Sequence, residues 1–216
     1  MDPREQQQTK WLTINRITAL TDGVFAIVMT LLVLSLEAPE PHEITNIVHL
    51  KHLLINQWHV LYIYFLSFLI LANFWIANHS AFSHLKATNI THLWYSIIFL
   101  MFIALLPFTS QLSGDYPHYW LTQGCFHLNM FMISATFLMS WQYASYKCRL
   151  LKDDVSDNLL KYINIRIWVT PIVAILCMLL AFFTPNYSSI PYILIPIIHR
   201  IIIPKYKNDL YNIRSN

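Results

Sequence analysis

The stretch RITALTDGVFAIVMTLLVLSL, Arg16 to Leu36, decides how this chain is read. It is long and apolar enough to cross a bilayer, since about 20 helical residues span the hydrocarbon core. It also carries Arg16 and Asp22 near one end. A charged side chain at the centre of a membrane helix costs about 2.5–3.5 kcal/mol to insert. Near an end the cost falls, yet an ionisable group at membrane depth still needs a partner.

Working outward, the composition fits this reading. The 216 residues are 56% hydrophobic and 12% charged, with a mean hydropathy of +0.45. A soluble domain of this length could not keep that surface in water, so the chain is expected to be an all-α integral membrane protein in one domain, 1–216. With only three glycines there is no room for a Gly-rich phosphate loop. Cys125, Cys148 and Cys177 match neither a metal motif nor a disulfide framework and are read as packing residues. The first apolar run exceeds a signal-peptide core and lacks a small-residue cleavage site, so it is expected to remain in the mature protein.

Apolar runs recur at about 16–36, 58–80, 93–113, 119–145, 161–183 and 187–203, which predicts six transmembrane helices. Charge sets their direction. Thirteen of the fourteen Lys and Arg residues fall on one side of this alternation and Lys51 alone on the other, so both termini are expected in the cytoplasm. Between the first two spans, 37–57 carries Glu37, Glu40 and Glu43 and then an amphipathic stretch expected to lie on the outer membrane surface. Pro107, Pro171, Pro191 and Pro196 are expected to kink later spans by removing a backbone donor.

On the first span, Ile27, Thr30, Leu31 and Leu34 share one stripe at 100° per residue, with Leu20 continuing it. Such a stripe serves helix packing, lipid contact or a pore wall, and periodicity alone does not choose. Asp22 lies about 140° around the helix from Ile27 and so points elsewhere. Arg16 and Asp22, six residues apart, are not an i, i+4 pair, and each is expected to reach a neighbouring helix. The second span returns to the same depth at Trp75 to Ser80, which makes Asn78 and His79 the natural partners. An internally satisfied set of Arg, Asp and His would clamp the first helix in place.

At these residues the chain resembles the transmembrane protein 175 family of potassium channels, whose first helix opens with an Arg-x-x-x-Phe-Ser-Asp motif. The motif stands here as Arg16-Ile-Thr-Ala-Leu20-Thr21-Asp22, followed by GVFAIVMTLLVLSLEAP, then SFLILANFWIANHSAF from Ser67 and IALLPFTSQL from Ile103. Leu20 replaces the family Phe, Thr21 keeps the Ser hydroxyl, and Asn78 stands where many relatives carry the first His of a pair. Arg16, Asp22, Trp75 and His79 match.

The resemblance implies a homotetramer of six-helix subunits in a bacterial-type cell membrane. Its central pore would be lined by the first helix, with no carbonyl selectivity filter. Ile27 would be the apolar constriction, Thr30 or Leu31 and then Leu34 the next rings, and potassium the permeant ion. Such rings can block by dewetting, and no TVGYG-like segment is present. A Thr30 hydroxyl ring offers partial replacement of hydration. Glu37 and Glu40 would either gather cations at the outer mouth or solvate a loop.

Other constellations point nowhere specific. The ten histidines fit no zinc spacing, and the outer ones, His49, His52 and His59, read as surface residues. His79 is the one histidine assigned a role. No metal, cofactor or nucleic-acid partner is expected. Two other functions remain open, an ion-coupled transporter and, less favoured for want of a second intramembrane carboxylate or a nucleophile motif, an acid/base enzyme built on Asp22 and His79.

Overall fold

The computed structural model describes residues 14–36, 38, 46–146, 149–152 and 155–198, with Asn56 described by its backbone alone. Helix α1 (Ile14–Leu31) tightens at its end into a 3₁₀ turn, Leu32–Ser35. A short helix α2 (Ile47–Asn56) precedes four long ones, α3 (Trp58–Ser83), α4 (Ile90–Asp115), α5 (Trp120–Ser145) and α6 (Asp157–Phe183). Two 3₁₀ turns, Pro185–Tyr187 and Ile190–Ile193, and a helical turn at 194–198 follow. The chain is a multi-pass, all-helical membrane protein.

Helix starts are set by local chemistry. The side chains of Asn46, Asn89 and Ser156 accept from the backbone N–H of His49, His92 and Leu159, satisfying donors that have no partner within the helix. The Ser156 cap lets α6 begin a turn before the apolar run expected at 161. Pro107 and Pro171 both lie inside helices that continue past them.

Four helical segments are long and apolar enough to span a membrane, Ile14–Ser35, Trp58–Ser83, Ile90–Asp115 and Asp157–Phe183. Helix α5 falls outside this set because it packs between α4 and α6 and buries polar side chains there. Gln123 and Ser113 exchange two hydrogen bonds, of 2.7 and 2.9 Å, and Asn129 donates to Thr109 at 3.2 Å. Polar groups between membrane helices are tolerated when protein rather than lipid surrounds them. Ser67 and Ser110, 2.8 Å apart, link α3 to α4 in the same way. Gly114 lets α4 approach α3 closely, since a Cβ there would stand 3.3 Å from the Val60 Cα.

The core centres on four phenylalanines from four helices. Phe99 of α4 lies 6.0 Å from Phe25 of α1, 6.3 Å from Phe74 of α3 and 5.5 Å from Phe137 of α5, between ring centroids. Helix α1 reaches this cluster through its buried face, Ile17, Thr21, Phe25, Val28 and Leu32.

The span expected at 187–203 is described only to residue 198, and there it consists of the 3₁₀ and helical turns just named. Tyr192 and Ile195 anchor it in the bundle, both almost fully buried. On the side where α3 ends, the loops 84–87 and 149–152 meet in an antiparallel bridge between Leu85 and Leu151. Lys86 N–H donates to Leu150 O at 2.9 Å and Lys152 N–H to His84 O at 3.0 Å.

Candidate functional site

Helix α1 has two faces with opposite fates. While Phe25 and Val28 are buried, Ile27 is 60% exposed, Leu31 41% and Leu34 69%, and Leu20 and Thr30 share that outward side. The 3₁₀ turn changes the geometry of this stripe. At about 120° per residue, Leu34 stands directly above Leu31, where an unbroken α-helix would set it about 60° behind. With a rise of about 1.5 Å per α-helical and 2.0 Å per 3₁₀ residue, Ile27, Leu31 and Leu34 stack at intervals of about 6 Å.

Thr30 lies between the first two of these levels. Its hydroxyl donates to the Ile27 carbonyl at 2.7 Å, so its proton is held by its own helix. The oxygen keeps lone pairs free to accept, which suits a cation and not an anion.

Arg16 falls about 20° around the axis from Ile27, at 100° per residue. It is exposed, makes no ion pair with another described residue, and belongs to the outward stripe and not to the Asp22 side. Down that stripe Arg16, Leu20, Gly23, Ile27, Thr30 and Leu34 alternate steps of four and three, the spacing of a seam between helices.

Asp22, half-buried, faces α3. Its carboxylate accepts from Trp75 Nε1 at 2.8 Å. The Trp75 ring lies in turn on His79, with centroids 5.8 Å apart and planes inclined by 30°. A charge-assisted bond of this length ties α1 to α3 without a second charge. Asn78 is buried on another side of α3 and makes no hydrogen bond to Asp22. The structure thus joins Asp22, Trp75 and His79, and leaves Arg16 and Asn78 apart from them. Glu37 and Glu40 lie outside the described residues.

Two cavities flank this line. One of about 240 Å³ lies against Asp22, Phe25, Ala26, Met29 and Trp75. The other, about 280 Å³, lies below it between the start of α1, the end of α3 and the 149–152 loop.

Histidines that spacing did not single out lie deep in the bundle. His127 is fully buried on α5, with Nδ1 3.2 Å from Tyr192 Oη and Nε2 2.9 Å from Ser188 Oγ. It pins the turns after α6 to the bundle. His92 is also buried, 3.0 Å from Thr88 Oγ1. The signal that could have found His127 is its position midway along an apolar run, where a polar ring needs partners.

Comparison with known proteins adds a second line. Residues 16–107 match the family model described as the endosomal/lysosomal potassium channel TMEM175. A potassium channel of Chamaesiphon minutus is 30% identical over 150 residues, covering 68% of this chain and 71% of that protein. A potassium channel of Streptomyces collinus is 31% identical over 101 residues, 47% of this chain and 48% of the relative. The endosomal/lysosomal proton channel TMEM175 of Gallus gallus is 35% identical over 111 residues, 49% of this chain but 22% of that longer protein. Among solved structures, the crystal structure of a lysosomal potassium-selective channel TMEM175 homolog from Chamaesiphon minutus superposes with a TM-score of 0.76 at 24% identity. It covers 87% of this chain and 96% of that one, which shows a shared fold.

Proposed function

The chain belongs to the TMEM175 family, and from that membership we propose that it is a potassium channel of a cell membrane. Ions cross passively through a central pore between four copies, lined by the outward stripe of α1. Ile27, Leu31 and Leu34 form apolar rings that control hydration, and Thr30 offers an oxygen between them. The full subunit has six spans with both termini in the cytoplasm. Glu37 and Glu40 follow the outer end of α1 in sequence, and acidic side chains at that mouth would raise the local cation concentration.

One observation supports this most strongly: Arg16 shares the exposed stripe with Ile27 and Leu34. Arg16 stands in the first turn of α1, so a stripe turned to the axis sets its guanidinium at the aqueous mouth of the pore and Ile27 to Leu34 along the wall. A water-filled axis accepts both ends of the stripe, the charged mouth and the apolar waist. The Asp22–Trp75 bond then has a clear role on the far side of the helix, since it holds α1 in register against α3.

The test is ion flux. Purified protein in potassium-loaded liposomes is expected to release potassium down its gradient, with a rate that does not saturate and needs no proton gradient. Absence of flux in vesicles shown to contain folded protein contradicts the proposal, and flux strictly coupled to protons replaces it with a transporter.

A further inference from the structure

The cavity of about 280 Å³ at the Arg16 end of the bundle has no part in the pore just proposed. Its walls come from three places, the first turn of α1, the last turns of α3, and the loop that follows α5. Ile14, Phe82 and Leu85 line it with apolar surface, and Phe82 and Leu85 are themselves buried. The polar part of the lining is Asn15, Thr18, His79, Ser83 and Lys152. No described carboxylate lines it, and Asp153 and Asp154, which follow Lys152, lie outside the described residues.

Lys152 is not there by the chance drape of a loop. Its backbone N–H is bound to His84 O at 3.0 Å, and the neighbouring bridge between Leu85 and Leu151 fixes the loop against the end of α3. The backbone of Lys152 is therefore held at the cavity, and Asn15 and His79 are further donors in its lining.

Polar donors, one cation and apolar surface lining a single cavity match the two halves of a phospholipid, a phosphate and the start of its acyl chains. We propose that this cavity binds the phosphate of an anionic phospholipid from the leaflet on the basic side of the membrane. The choice of leaflet rests on the six-span reading proposed above, which assigns thirteen of the fourteen Lys and Arg residues to that side and so favours anionic headgroups there before any specific contact forms. A free phosphate ion would use the polar lining but gain nothing from Ile14, Phe82 and Leu85. The lipid uses both. Because the site touches α1 and α3 together, an occupant bridges the two helices one turn below the Asp22–Trp75 bond.

Native mass spectrometry of the full protein, purified and offered phosphatidylglycerol or phosphatidylcholine with the same chains, reads the proposal directly. Wild type is expected to retain phosphatidylglycerol in preference. Lys152→Gln keeps the backbone bridge and is expected to lower retention roughly five- to tenfold, the loss of one cation at an anionic surface. Lys152→Arg is expected to restore it, and Lys161→Gln, an exposed cation on α6 outside the cavity, to leave it unchanged. Equal retention of the two lipids, or equal losses in Lys152→Gln and Lys161→Gln, overturns the site. Displacement of the lipid by millimolar inorganic phosphate overturns the choice of lipid over free anion. None of these readings depends on potassium flux, so failure here and failure of the pore assignment are separable.

Discussion

Ile27→Ala is expected to raise potassium flux through reconstituted protein roughly tenfold, the effect of lowering a barrier by about 1.4 kcal/mol. Ile27 is 60% exposed on a helix whose opposite face is packed, and it is the level nearest the middle of the described part of α1. In the proposed tetramer, four branched side chains converging there would leave a passage apolar enough to dewet and so block the ion. Alanine widens that level and lets water persist. The buried face is untouched, because Phe25 and Val28 flank Ile27 in sequence but point inward. Leu69→Ala is the control, an equally apolar and exposed residue on α3, and it is expected to leave flux unchanged. Equal flux in the two variants contradicts the constriction.

Phe99→Ala is expected to cost about 3–5 kcal/mol of stability, as large-to-small changes in close-packed cores do. Phe99 is 3% exposed and stands between Phe25, Phe74 and Phe137. Its loss opens a void where α1, α3, α4 and α5 meet. Thermal unfolding in detergent checks the magnitude, and Phe99→Leu, which refills much of the space, is expected to recover most of it. The result matters for the pore as well as for stability. Phe25 holds α1 at the aromatic cluster, and the outward stripe keeps its aim only while that face stays docked.

Much of this architecture is legible in the chain because bilayer thickness and backbone satisfaction leave few choices. Hydropathy places α3, α4 and α6 within a turn of their observed starts and ends, apart from the extra turn that Ser156 caps at the start of α6. The 3.6 period likewise separates the faces of α1, with Ile27 and Leu34 outward and Asp22 toward α3.

What was not legible depends on contacts between elements. Nothing in LVLS announces the 3₁₀ turn at Leu32–Ser35, which aligns Leu34 with Leu31. Histidines separate by burial, and a single sequence does not report burial. His79, singled out from its depth, is exposed and stacked on Trp75, whereas His127 is fully enclosed and bonded at both nitrogens. His59 shows the same difference, expected on the surface yet 7% exposed. Arg16 and Asp22 are close in sequence, but six residues set them about 120° apart, on different faces of α1. The Lys152 cavity depends on a bridge between two loops 66 residues apart, Leu85 with Leu151.

The central claim is geometric, that copies of α1 surround the ion path with their exposed stripe inward. A map of the assembled protein in a lipid nanodisc, resolved well enough to place side chains, tests it directly. The account predicts four α1 helices about one axis, with Ile27, Leu31 and Leu34 facing that axis and Asp22 turned away toward Trp75. An assembly with α1 at its rim and Ile27 against lipid, or with another helix on the axis, would contradict it.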